Sequence, residues 1–286
     1  MQCLWDLQGK IERKSIGTIF GKSHNKIKTY ANFNRSTTDR SPKGIESKVK
    51  TVVNEGFELI KFAPFDEVIS GTTSKEIRTA MQPGLERINV IRETAGSEIK
   101  LMIDCHWRFN YETTIELIKE IEDLNLYWLE CPIPETIDFS LEIKKIRSIA
   151  NSKGIKLAGL EKKILTKGFE SYLKAGVYDF MMPDIKYAGG PDELITIEKL
   201  FNKFNVHFSP HNPSGPIAHA HTLQVCSATN EPALMEYQYN ETDYFETLLE
   251  KPNPIIINGY SKLPEHNHGL GIEINELELK KLNQSI

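Results

Sequence analysis

The feature that most constrains this chain is a series of short apolar runs, each ending in a titratable residue. Lys100-Leu101-Met102-Ile103 ends in Asp104, Tyr127-Trp128-Leu129 in Glu130, and Lys156-Leu157-Ala158-Gly159-Leu160 in Glu161. Phe180-Met181-Met182-Pro183 ends in Asp184, Val206-His207-Phe208-Ser209-Pro210 in His211, and Ala233-Leu234-Met235 in Glu236. These six end residues stand 26, 31, 23, 27 and 25 positions apart. Each interval accommodates one strand and one helix. Short apolar runs that alternate with helical-period segments read as buried parallel strands joined by crossover helices. Strict alternation favours an α/β fold closed as a (β/α)8 barrel, with one polar group from each strand brought to a common rim.

The rest of the chain fits this pattern. Residues 26–31 and 57–62 read as the first two strands, with Lys61 near the end of the second. Helices are expected over residues 1–14, 42–54, 74–94, 112–124, 141–150, 168–175, 191–204 and 217–226. At 286 residues the chain is long enough for a barrel, which takes about 250. Three segments follow: a helix and linker over 1–22, the barrel over 23–243, and a tail over 244–286. The tail mixes Pro and Gly with short apolar runs and reads as an irregular extension that packs outside the barrel.

Charge and cysteine usage exclude several partners. A net charge of −4 gives no basis for binding nucleic acid or an anionic membrane. No apolar run approaches the ~20 residues of a membrane span, and the N-terminus lacks a signal-peptide core. Cys3, Cys105, Cys131 and Cys226 fit neither a disulfide framework nor a CxxC knuckle, so reduced, buried thiols in a cytoplasmic enzyme are expected.

The chemistry follows from where the charges converge. Three adjacent carboxylates (Asp104, Glu130 and Glu161) raise one another's pKa, and a divalent cation relieves that repulsion. An all-oxygen set suits Mg2+, which keeps coordination positions for water and substrate. Asp184 and His211 lie on the next two strands. A carboxylate beside a histidine fixes its tautomer and raises its basicity, as a general base requires. Glu236 faces the same cavity and could hold or donate a proton to a developing oxyanion. Lys61 supplies positive charge for a substrate carboxylate or an enediolate.

With these residues in place, the chain resembles the enolase superfamily, in its mandelate racemase-like group. Leu4-Trp5-Asp6-Leu7-Gln8-Gly9-Lys10 looks like the helix that follows the family's N-terminal capping domain. Leu129-Glu130-Cys131-Pro132, Ala158-Gly159-Leu160-Glu161 and Pro183-Asp184 with Gly189-Gly190 match its metal and dyad strands, and Gly269-Leu270-Gly271 matches its glycine-rich tail. The resemblance implies that Asp104, Glu130 and Glu161 hold Mg2+ and that His211 with Asp184 removes the proton alpha to a carboxylate, giving a metal-stabilised enediolate.

Asp104-Cys105-His106 and Ser209-Pro210-His211-Asn212-Pro213-Ser214-Gly215 further resemble the galactonate and mannonate dehydratases. That implies dehydration of a small sugar acid to a 2-keto-3-deoxy acid, with His106 protonating the departing hydroxide. Racemases of the group carry a second lysine two residues after the position of Lys61, and Ala63 stands there instead, which favours one-base elimination. The family's α+β cap would precede Met1, and the tail would pack on it. Relatives often assemble into homo-oligomers. The competing expectations are a truncated barrel that keeps its metal site and turns over little, and a racemase or epimerase. An aldolase-type barrel would need Lys61 as a Schiff-base lysine.

Overall fold

The computed structural model describes residues 1–250, 255–264 and 268–284; the parts of the tail at 251–254, 265–267 and 285–286 lie outside the described residues. Eight parallel strands follow one another in the order of a barrel: β1 Lys26–Asn32, β2 Leu59–Phe62, β3 Lys100–Asp104, β4 Leu126–Glu130, β5 Lys156–Gly159, β6 Phe180–Met181, β7 His207–Phe208 and β8 Leu234–Gln238. Each strand pairs with the next from β1 to β7, and β8 pairs with β1. Strand pairing is not continued between β7 and β8. There the Ser209 hydroxyl donates to the Leu234 carbonyl at 2.7 Å and ties the seam.

Alternation along the strands sorts the side chains into two cores. Ile60, Ile103, Leu129, Leu157 and Met235 face the helical layer and join its buried apolar stripes. Tyr30, Leu59, Met102, Trp128 and Leu234 point into the barrel and pack on one another. Two residues further along each of these strands, on the same face, stand Asn32, Lys61, Asp104, Glu130 and Glu236. The polar site is therefore the next layer above an apolar plug, and its position follows from strand period alone. Each fully buried large plug residue contributes about 1.5–3 kcal/mol relative to exposure.

The helices start and stop where local chemistry dictates. Pro42–Asn54 opens on the Ser41 hydroxyl, which accepts from Gly44 N, and buries Ile45, Val49 and Val52 along one stripe. Tyr111–Ile121 is capped by Asn110. The single helix expected over 74–94 is two, Ser74–Ala80 and Gln82–Ala95. Pro83 has no N–H to give and its ring crowds the preceding turn, so the first helix ends just before it.

The tail is more regular than its composition suggests. β9 Ile255–Ile257 and β10 Tyr260–Lys262 form a hairpin that joins β1 antiparallel through Lys26–Lys28. Leu270 packs with Ile16 and Ala220, so this part of the tail seals the side of the barrel between the N-terminal helices and Pro216–Cys226. Cys105, Cys131 and Cys226 are buried and unbonded, while Cys3 is exposed. Among the described residues no helix is long and apolar enough to cross a membrane.

Candidate active site and metal centre

Asp104 and Glu130 are the last residues of β3 and β4 and stand opposite each other in register. Glu161 is not a strand residue. β5 ends at Gly159, and a turn through Leu160, whose φ is 72°, brings Glu161 back over the barrel. That turn, together with the short helix Ile137–Phe139, accounts for the long spacing between Glu130 and Glu161. The three carboxylates converge: one oxygen from each lies within 4.8 Å of the others, and all three residues are buried. This donor set could hold a hard divalent cation.

The charges around the triad are unevenly balanced. Lys61 is 1% exposed and pairs with Glu130 at 2.7 Å and Glu236 at 2.8 Å. Burial acts to lower its pKa, but the two carboxylates outweigh burial and raise it, keeping the ammonium charged. Glu236 also accepts from Asn32 Nδ2 and Asn212 N, each at 2.8 Å. Burial would raise this carboxyl, yet Lys61 and His211 outweigh it and hold the group at about 2. Asp104 is likewise held at about 2, where burial is outweighed by His106 and then Lys61. The other two go the opposite way. Burial lifts Glu130 to about 7 against the pull of Lys61, and burial followed by Asp104 and Glu130 lifts Glu161 well above the carboxylate range. Lys61 alone does not offset burial at Glu130, and burial with the neighbouring carboxylates outweighs it at Glu161; a divalent cation among them would supply the further positive charge that keeps both ionised.

Both histidines touch the triad. The His106 ring nitrogen Nε2 lies 2.8 Å from Asp104 Oδ2, and the His106 backbone N–H donates to Asp104 Oδ1 at 2.9 Å. It reaches back because β3 has ended: His106 and Trp107 have φ of 48° and 57°, so a left-handed turn, not strand alternation, sets it beside Asp104. Its ring is 41% exposed toward the mouth, and Asp104 raises its pKa. His211 Nδ1 lies 3.0 Å from Asp184 Oδ2, and Nε2 faces Glu161 at 3.4 Å. Lys186 N in turn fixes Asp184 Oδ1 at 2.7 Å. All eight residues expected at the site are gathered at one end of the barrel.

Lys61, Asp104, His106, His211 and Glu236 line a cleft of about 90 Å³ with Ala63. The cleft and the residues just behind it include several that charge and spacing did not single out. Asn32 and Asn212 fix Glu236. Arg35 stands at the rim, bonded to the Pro213 carbonyl and to Glu241. Gln238 is 3% exposed, and its Oε1 is without a hydrogen-bond partner among the described residues. A neutral amide on a strand carries no sequence signal. Only its place two residues beyond Glu236 puts it on the inward face.

Residues 44–278 match the family model described as enolase C-terminal domain-like. The chain is 28% identical over 280 residues to the D-gluconate dehydratase of Thermoproteus tenax, covering 97% of this chain and 54% of that protein. It is 28% identical over 291 residues to the D-galactonate dehydratase of Xanthomonas campestris pv. campestris, covering 99% and 72% respectively. The chain therefore spans little more than half of the first relative's length. Its fold superposes on the 3,6-anhydro-D-galactonate cycloisomerase of Zobellia galactanivorans with a TM-score of 0.82 at 23% identity, over 98% of this chain and 73% of that one. A barrel of eight parallel strands, the clustered Asp104, Glu130 and Glu161, and a model match over most of the length agree: the chain belongs to the enolase C-terminal domain-like family.

Proposed function

We propose that this chain is the catalytic barrel of a Mg2+-dependent sugar-acid dehydratase. The reading is carried by one observation: three buried carboxylates within 4.8 Å of each other, with a histidine on each side of them. Asp104, Glu130 and Glu161 would hold the ion. When bound, Mg2+ would polarise the substrate carboxylate and offset the charge that builds as the alpha proton leaves.

His211 is the base. Asp184 orients its ring through Nδ1, which leaves Nε2 to take the proton on the side of the triad. His106 approaches from β3, across the barrel from β7. Its raised pKa favours the protonated ring, which suits it to protonate the beta hydroxyl as it departs. Lys61 stays charged and pairs with Glu236, so the two act together as a fixed polar wall. The unpartnered Gln238 oxygen offers an acceptor to a substrate hydroxyl, which favours a polyhydroxy acid over an apolar one. Ala63 lines the cleft where a second base would be needed for racemisation.

A panel of aldonic and aldaric acids incubated with the protein and Mg2+ tests the reading by 2-keto product formation. Product is expected from at least one acid and should disappear with a chelator. His211→Asn and His106→Asn should each lower the rate about 10²–10⁴-fold. His106→Asn should still exchange the alpha proton in D2O. Epimerised substrate without keto product would support the racemase reading instead. Mg2+ binding without turnover of any acid would support the low-activity barrel.

A further inference from the structure

Left-handed backbone at non-glycine residues is unfavourable and persists where surrounding contacts enforce it. Such residues follow three consecutive strands here: His106 and Trp107 after β3, Cys131 after β4, and Leu160 after β5, with φ between 45° and 72°. Each lies within three residues of a triad carboxylate. The turns are laced together, with Trp107 N donating to the Cys131 carbonyl at 2.6 Å and Lys162 Nζ lying 3.8 Å from the centre of the Trp107 ring.

One side chain ties the β4 turn to the β5 turn. Glu135 Oε1 accepts from Leu160 N at 2.6 Å and from the Tyr178 hydroxyl at 2.9 Å, and the Cys131 thiol is 3.7 Å from the same oxygen. The Glu135 carbonyl accepts from Lys163 Nζ and from the Tyr172 hydroxyl, both at 2.8 Å. Residues on both sides of Glu161 are therefore fastened to Glu135. Gly159 gives independent support. A Cβ there would lie 2.2 Å from Glu135 Oε1 and 2.8 Å from the Tyr178 ring, so a side chain would displace the clamp.

We propose that Glu135 is the positioning residue for Glu161: its carboxyl group enforces the left-handed turn at Leu160 and so sets Glu161 against Asp104 and Glu130. The consequence for metal affinity rests on the reading of Glu161 as a ligand; the clamp itself does not. Residues that orient ligands typically change metal affinity by about 10–100-fold when removed.

Mg2+ titration by calorimetry and metal-free amide exchange, applied to the intact chain, separate the two ideas. Glu135→Ala should weaken Mg2+ at least tenfold and speed exchange across residues 157–164, leaving 26–32 and 234–238 unchanged. Glu135→Gln retains an acceptor for Leu160 N–H and should stay close to wild type in both. A merely structural role would lower the melting temperature of both variants and leave the Mg2+ affinity of the folded protein unchanged, which overturns the proposal. Wild-type exchange rates across 157–164 in Glu135→Ala would overturn it as well. If wild type itself binds no Mg2+, the metal reading fails and the exchange result alone decides the clamp. Should Glu135→Ala not fold, Gly159→Ala and Tyr178→Phe disturb the same contact and should show the same paired effects; neither effect in both would refute the clamp.

Discussion

Lys61 is the residue on which the charge balance of the site turns. It is sealed from solvent and answers two buried carboxylates at once. Removing one partner of a buried ion pair leaves uncompensated charge in a medium of low dielectric, which costs about 3–5 kcal/mol. Lys61→Met should lose stability of that order in denaturant unfolding, whereas replacement of the exposed Lys50, paired with Glu46, should change it by well under about 1 kcal/mol. Gln238 makes the complementary case for binding. Its oxygen is a buried cleft-wall acceptor without a hydrogen-bond partner among the described residues, and a substrate hydroxyl would satisfy it, so Gln238→Leu should weaken binding of a hydroxylated acid about tenfold. A weaker effect on the corresponding deoxy acid would identify the hydroxyl concerned. At this scale the charged residues of the site other than Glu135 were legible in the sequence, because apolar runs that end in a titratable residue recur at regular intervals. Asn32, Asn212, Gln238 and Glu135 were not. They act through register and through turns whose backbone is set by tertiary contacts.

Among the elements, the helix Pro216–Cys226 stands apart because it is buried nearly all round. Its polar residues are met from several sides: His219 Nδ1 faces Asn212 Nδ2 at 3.1 Å, Nε2 faces the Ser261 hydroxyl at 3.3 Å, and Gln224 bridges Gly17 N and the Leu270 carbonyl. Burial drives His219 down to about 3 and His221 down to about 4, so both are neutral when folded. In the unfolded chain they take a proton near pH 6.5. Their contribution to stability is therefore complete above pH 6.5 and is lost as the pH falls toward the folded values. The loss at pH 5 amounts to about 2 kcal/mol for each ring. Unfolding free energy measured from pH 7 to 5 should show this decline, and His219→Gln should flatten it by about one proton's worth of slope. The element scale also shows where apolar runs mislead. β6 and β7 pair over only two residues each, although their runs are four and five long, because Pro183 and Pro210 cannot donate to a ladder.

For the whole molecule, alternation of strand and helix was enough to predict the ring order, since parallel strands with crossover helices leave few topologies. The hairpin that the tail adds to β1 was hidden by its Pro and Gly content. The central claim is that Asp104, Glu130 and Glu161 hold one divalent cation within this ring. A ligand that binds only the folded state stabilises it by about 2.7 kcal/mol at a hundredfold excess over its Kd, which corresponds to a rise of roughly 4–5 °C in a chain of this size. The most direct measurement is thermal unfolding with and without Mg2+ for wild type and for Glu130→Gln. A rise in Tm for wild type that the variant loses is the predicted result. An unchanged Tm in wild type, or an equal rise in the variant, would contradict it.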